Sequence, residues 1–174
     1  AHPGAVEFRM TEAVYDAVVI GGGPSGATAA TDLALEGHSV LLIERGGRIK
    51  PCGGAIPPRC LDDFDIPHSL LVAKARSARM IAPSGRAVDM PVGVGRVDRE
   101  EFDEWRRVRA QECGADRRTA TFEKIERDDE PHPLVAFRRE RGGPIEKVRA
   151  RCIVGADGAR SAVAKQSVPN ANRV

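Results

Sequence analysis

An α/β fold with a parallel sheet is predicted from three observations. A β-branched run from Tyr15 to Ile20 stops at three glycines, an alanine-rich segment with helix-end signals follows, and a second apolar run spans Ser39 to Glu44. Both runs are continuously apolar rather than alternating, as expected of strands buried on both faces. Strand, helix and strand in this order form a βαβ unit, whose crossover is right-handed almost without exception.

The elements follow from local signals. Pro24 to Glu36 carries proline in its first turn and stops at Gly37, which predicts a helix with both ends marked. Arg45 to Pro58 is too rich in glycine and proline for a regular element and reads as a long loop. Ala78 to Ala82 and Ala87 to Val92 flank the turn signal Pro83-Ser84-Gly85, predicting a hairpin in an inserted small sheet at about 78–97. Asp98 opens a helix, with Glu101 completing a capping box, and the helix should end near Gly114. Along it Phe102 and Trp105 share a face and read as core anchors. Arg106, Arg107 and Arg109 read as a solvated face, with Asp103 four residues before Arg107 and able to pair with it. Strands are then predicted at Thr119 to Ile125, Leu134 to Arg138 and Lys147 to Val154. Residues 1–14 read as a disordered extension in which Met10 could be a natural start, and residues 167–174 as an irregular tail.

Composition narrows the function classes. The 174 residues carry 27 basic and 25 acidic side chains, a net charge of +2, with five Phe, one Tyr and one Trp, so neither the basic patch nor the stacking platform of a nucleic-acid binder is present. The longest apolar stretches, such as Ala17 to Ile20 and Val40 to Ile43, fall far short of the roughly 18 residues of a transmembrane helix, so membrane contact is expected to be peripheral. Cys52, Cys60, Cys113 and Cys152 form no CxxC pair and the histidines stand apart from them, which argues against a zinc site. Free thiols in a reducing cytoplasm are the expectation, with Cys113 and Cys152 as buried structural thiols.

The chemistry-bearing motif is Gly21, Gly23 and Gly26, a GxGxxG at the junction of first strand and first helix. Gly21 permits the tight turn, Gly23 lets the backbone approach a pyrophosphate, and Gly26 lets helix and sheet pack closely. The helix start, with Pro24 and Ser25, then receives the diphosphate. Glu44 ends the second strand close to the offset at which a carboxylate binds an adenosine ribose, where NADP would call for a cation. A Rossmann-like dinucleotide-binding domain follows, and these features fit FAD and NAD equally.

Later motifs decide between them. Gly21 to Gly26 with Glu44-Arg45, then Asp98-Arg99 with Phe102-Asp103, then Gly155-Ala156-Asp157-Gly158, resemble the ordered motif set of FAD-dependent oxidoreductases related to aromatic-ring hydroxylases. The resemblance implies a glutathione-reductase-type FAD/NAD(P)-binding fold over residues 15–166 and FAD as cofactor. It also implies that Arg99 lies near the flavin nucleotide and Asp157 with Gly158 close to the pyrophosphate, and Arg45 beside Glu44 is a further candidate for cofactor binding. Within that group, Lys50-Pro51-Cys52-Gly53-Gly54-Ala55 is similar to the PCGGA loop of geranylgeranyl reductases of chlorophyll and bacteriochlorophyll synthesis. Members of that family continue into a substrate domain, so the chain is expected to be an N-terminal fragment, incomplete at its C-terminus.

The implied reaction reduces the isolated double bonds of a geranylgeranyl chain to phytyl, on a pigment ester or the free diphosphate, with NADPH as electron donor. An unactivated alkene needs a proton delivered with the hydride, and Cys52, the reactive side chain of the loop, is the candidate catalytic donor beside Gly53 and Gly54. A small packed thiol is the competing reading of Cys52. A cytoplasmic protein peripheral to a photosynthetic membrane is expected. The rival functions are a flavin-dependent monooxygenase or halogenase, and a non-catalytic FAD-binding fragment.

Overall fold

The computed structural model describes residues 8–47 and 51–171, and for residues 8–13 the backbone alone. The extension expected at residues 1–7, Lys50 of the glycine-rich loop and the last three residues of the expected tail lie outside the described residues. In chain order the elements are β1 (Phe8–Ile20), α1 (Pro24–Leu35), β2 (Val40–Glu44), β3 (Ala55–Ile56), α2 (Pro58–Asp63), β4 (Leu71–Ile81), β5 (Ala87–Val97) and α3 (Arg99–Glu112). They continue with β6 (Asp116–Thr119), β7 (Thr121–Glu126), β8 (Leu134–Arg138), β9 (Ile145–Gly155) and α4 (Ala162–Ser167). The chain divides into two compact units, residues 1–48 with 105–174, and residues 49–104.

The first unit is a six-stranded sheet in the order β6-β2-β1-β9-β8-β7. β6, β2, β1 and β9 run parallel, and β8 and β7 return antiparallel. The period-two alternation of the central strands divides their side chains between two cores. Val18, Ile20, Leu41 and Ile43 join Val135 and Phe137 of β8, Val148 and Ala150 of β9, and Val163 of α4. Val19, Val40 and Leu42 join Ala30 of α1 and Ala110 of α3 on the other face. Double burial is the reason the runs are apolar throughout, and each fully buried Val, Leu or Ile side chain contributes about 1.5–3 kcal/mol. α1 meets its core through a stripe of small residues, Gly26, Ala27, Ala30 and Thr31, at helical spacing.

Several boundaries differ from those predicted. β1 begins at Phe8 rather than Tyr15, because Phe8 to Met10 pair with Ile145 to Lys147 of β9, so the part of the extension from Phe8 to Val14 is strand. The single strand predicted at Thr119 to Ile125 is two: β6 pairs parallel with β2, β7 pairs antiparallel with β8, and buried Ala120 between them donates its N–H to the Glu44 carbonyl at 2.9 Å. α4 was not predicted; its six residues are held by side-chain caps rather than by a long apolar period. Cys152, expected to be buried, is exposed, since the core covering Val154 on the same face of β9 does not extend to it.

The second unit is a three-stranded antiparallel sheet in the order β3-β5-β4. The predicted turn is present: Gly85 adopts φ +81°, Gly85 N–H donates to Ala82 O at 2.9 Å, and Ala82 N–H donates to Arg86 O at 2.9 Å. Both hairpin strands are longer than predicted, and the expected long loop contains β3 and reaches α2 at Pro58. None of the described helices is long and apolar enough to cross a membrane.

Candidate functional site

The end of β1 carries the site. Gly21 adopts φ +104°, which L side chains rarely take, and its N–H donates to Ile43 O at 2.8 Å, tying the turn to β2. A Cβ on Gly21 would lie 2.5 Å from Ala156 O, because the end of β9 is bonded alongside through Ala156 N–H to Ile20 O at 2.8 Å. A Cβ on Gly26 would lie 1.8 Å from Gly21 O and 3.0 Å from the Ala156 side chain, so helix, loop and β9 close on one another there. A Cβ on Gly23 would meet no protein atom within 4 Å, so this glycine faces open space. Gly23 is also the N-cap of α1 and supplies no side-chain cap, and Pro24 and Ser25 open the helix behind it.

Sequence reasoning passed over Gly22, the variable position of the motif. Its N–H donates to Glu44 Oε2, and its carbonyl accepts from Arg107 Nη1 at 3.2 Å. A Cβ there would lie 2.8 Å from Glu44 Cβ and 2.9 Å from Arg107 Cδ. The signal that could have found it is the run of three glycines where the motif asks for two. Glu44 thus stands at the tip of β2 with its carboxylate held at the loop, while Arg45 beyond it is exposed.

α3 corrects the predicted arginine face. Phe102, Arg106 and Ala110, four residues apart, form its buried stripe, with Arg106 only 6% exposed. Arg106 donates to Thr28 Oγ1 of α1, and burial pushes its guanidinium pKa down, aided by the like charge of Arg109 and opposed by Asp32. Trp105 is half-buried, with the Arg106 and Arg109 guanidiniums 5.6 and 5.7 Å from its ring centre. Asp103 pairs not with Arg107 but with Arg99, at 2.8 Å in a two-pronged contact, the (i, i+4) alternative on the other side of it in sequence. Asp98 does cap the helix, accepting from Glu100 N–H at 2.8 Å rather than through the predicted Glu101 position.

Asp157 has its backbone at the loop, its Cα 2.9 Å from where a Gly21 Cβ would be, but its carboxylate serves α4. It accepts from Ala162 N–H at 2.6 Å, Val163 N–H at 3.3 Å and the Ser161 hydroxyl. Gly158 follows at φ +86° and turns the chain into that helix.

In the second unit Cys52 is exposed. The Gly54 N–H and then the Arg99 guanidinium pull its thiol below the ordinary cysteine pKa, and Asp103 raises Arg99 in turn. Gly54 adopts φ +68°, and a Cβ there would lie 2.0 Å from Val97 O; its close approach is to β5. Gly53 faces open space, with nothing within 4 Å of a Cβ.

A parallel sheet, a glycine-closed turn into a helix without a side-chain cap, and a carboxylate at the tip of the second strand define a dinucleotide-binding α/β protein. The chain belongs to the FAD-dependent oxidoreductase family: residues 16–146 match the family described as FAD dependent oxidoreductase. Over 158 residues it is 55% identical to a geranylgeranyl diphosphate reductase of Rhodobacter capsulatus, covering 89% of this chain and 40% of that protein. The solved structure of a geranylgeranyl bacteriochlorophyll reductase-like protein from Thermoplasma acidophilum aligns with TM-score 0.80 and 25% identity, covering 93% of this chain and 43% of that one. A myxobacterial chondrochloren halogenase, described as FAD-dependent, aligns with TM-score 0.71 and 26% identity over 87% of this chain and 39% of its own. The chain therefore spans about 40% of the length of this Rhodobacter capsulatus reductase.

The residues fit an FAD by their own geometry. Open space at Gly23 and the uncapped start of α1 suit a diphosphate, and the Glu44 carboxylate suits a ribose.

Proposed function

We propose that this chain supplies the FAD-binding part of a reductase that saturates the double bonds of a geranylgeranyl chain to phytyl in chlorophyll or bacteriochlorophyll synthesis, with NADPH as electron donor. The observation that carries the reading is the 55% identity to a geranylgeranyl diphosphate reductase, a stretch that takes in most of the chain. The Pro51 to Ala55 loop, with its thiol held by Gly54 and Arg99, supports it.

The chain's own residues divide the work. Gly23, Pro24, Ser25 and Gly26 receive the diphosphate at the start of α1, Gly21 shapes the turn, and Glu44 binds the ribose, with Arg45, Gly53, Gly54, Arg99, Asp157 and Gly158 as further cofactor-binding positions. Bound FAD supplies hydride chemistry. Cys52 holds the proton that an isolated alkene must receive on its less substituted carbon as hydride reaches the more substituted one. Its depressed pKa makes the thiol a readier donor than a free cysteine and gives donation an upper pH limit, since the thiolate carries no proton to give. The substrate is a geranylgeranyl pigment ester or the free diphosphate, met at the surface of a photosynthetic membrane from the cytoplasmic side.

The test has two stages. FAD titration by flavin fluorescence, with NAD as competitor and Glu44→Lys as control, should show tight binding that NAD fails to displace and that the variant weakens. FAD-loaded protein given NADPH and either geranylgeranyl substrate should then yield products heavier by two hydrogens per reduced bond. A product heavier by one oxygen would replace this reading with a monooxygenase, and unchanged substrate with FAD bound would leave the chain a non-catalytic FAD-binding unit.

A further inference from the structure

We propose that Arg107 is a positioning residue of the dinucleotide site, clamping the phosphate loop at the Gly22 carbonyl while Glu44 holds it at the Gly22 amide. The two contacts fix successive peptide planes. Glu44 Oε2 accepts from the Gly22 N–H, and Arg107 Nη1 donates to the Gly22 carbonyl at 3.2 Å. The described chain contains no cis peptide, so a Gly22 carbonyl drawn toward Arg107 turns the Gly23 N–H the opposite way. Gly23 is the residue that faces open space and begins α1 without a side-chain cap. The clamp therefore presets the donor that an incoming diphosphate meets first, so less of its orientation has to be fixed during binding.

The packing supports the hydrogen bond. The Arg107 stem lies so close over Gly22 that a Cβ would sit 2.9 Å from its Cδ. This contact, together with Glu44 Cβ at 2.8 Å, explains why the variable position of the motif is itself glycine here. Arg107 is also oriented from its own helix: Arg106, one residue earlier, is buried against Thr28 of α1, which fixes the rotation of α3 about its axis. A guanidinium suits the role because its forked donors hold a fixed direction.

The inference rests on the dinucleotide reading of the loop, and the experiment separates the two. Arg107→Met keeps the stem and removes the donor; Arg107→Lys keeps the charge without the fork. Each variant, Gly22→Ala alone, and the double variant of R107M with Gly22→Ala are titrated with FAD, ADP and adenosine, and amide exchange over residues 20–27 is recorded without nucleotide. R107M should bind FAD and ADP about tenfold more weakly, the worth of one charge-assisted hydrogen bond, with adenosine affinity changed far less. Exchange at the Gly23 amide should speed up while exchange in β1 and β2 does not, and R107K should recover part of both effects. G22A combined with R107M should be no weaker than the stronger single variant, because both act on one peptide. R107M that binds and exchanges like the wild type, or effects that simply multiply in the double variant, overturns the clamp. Wild-type protein that binds neither FAD nor ADP overturns the dinucleotide reading itself. A global fall in melting temperature with uniformly faster exchange assigns Arg107 a structural role in place of a positioning one.

Discussion

Every residue from Ala17 to Ile20 in β1 and from Val40 to Ile43 in β2 is buried, whereas β4 of the second unit has no buried residue along its length. In the first unit, register is fixed by burial: a slip of one residue would move Val18 and Leu41 from one core to the other and exchange every partner. In the second, it is fixed by the turn at Gly85, the ladder between β4 and β5, and a small buried set of Ile56, Ile66, Val97 and Phe102. The candidate residues of the two units contrast in the same way. In the first unit the glycine turn closes so tightly that a Cβ on Gly21 or Gly26 would overlap backbone atoms, whereas in the second Cys52 is exposed, with the Gly54 N–H and the Arg99 guanidinium acting on its thiol.

A glycine exchange in each unit tests that contrast most severely. Gly26→Ala places a Cβ 1.8 Å from Gly21 O, a backbone atom that can yield only if the loop opens. FAD affinity should fall by about a hundredfold or more, in line with the 1–3 kcal/mol or above of overpacking. Gly85→Ala meets no atom within 4 Å and loses only conformational freedom at φ +81°. It should cost about 1–2 kcal/mol in stability and leave FAD affinity untouched. Fluorescence titration and urea denaturation of both variants read the two effects. Equal losses of binding would remove the claim that the tight closure is confined to the glycine turn.

Side-chain truncation comes next. Leu42→Ala removes a fully buried side chain from the core shared with α1 and α3, and should destabilise by about 2–5 kcal/mol. Val88→Ala, at a side chain 50% exposed on β5, should change stability by no more than about 0.5 kcal/mol. Urea midpoints measure both. A large loss at Val88 would mean that its sheet face packs against something in solution.

The same contrast explains what could be read in the sequence. Strands buried on both faces announce themselves as unbroken apolar runs, and β8 was predicted to the residue at Leu134 to Arg138. Backbone requirements are equally legible: Gly21 and Gly26 sit where only glycine fits. The choice between side-chain partners was not. Asp103 lies four residues from both Arg99 and Arg107, and one helix geometry permits either pair; it is paired with Arg99, while Arg107 donates to the Gly22 carbonyl, a partner distant in sequence that no helical spacing announces. Asp157 shows the same limit, since the turn was evident but the use of its carboxylate to cap α4 depends on a helix with no apolar signature of its own.

The smallest expected effect compares two-pronged arginine–aspartate pairs in two settings. Arg79 and Asp89 form a two-pronged pair at 2.8 and 2.9 Å on the hairpin, with side chains 65% and 61% exposed. Arg149 and Asp128 also form a two-pronged pair in the first unit, but through Nη1 and Nη2, at 2.9 and 2.7 Å, and there Arg149 is only 18% exposed and is also held by the His132 carbonyl at 3.0 Å. With Arg149 already fixed, less side-chain freedom is lost in forming the second pair. The Arg149 hydrogen bonds hold the Asp128 carboxyl at about 2, below the ordinary 3.8. Because the folded value is the depressed one, the unfolded chain binds more protons in this window and stability rises with pH across it. Asp128's contribution is complete above the unfolded value of 3.8 and is lost as pH falls through about 2. Asp128→Asn should therefore flatten part of the acid limb of a melting-temperature profile between those limits. Asp89→Asn should alter it less, although Arg79 depresses Asp89 in the same direction. Equal changes in the two variants would show that anchoring of the arginine does not matter to what such a surface pair contributes.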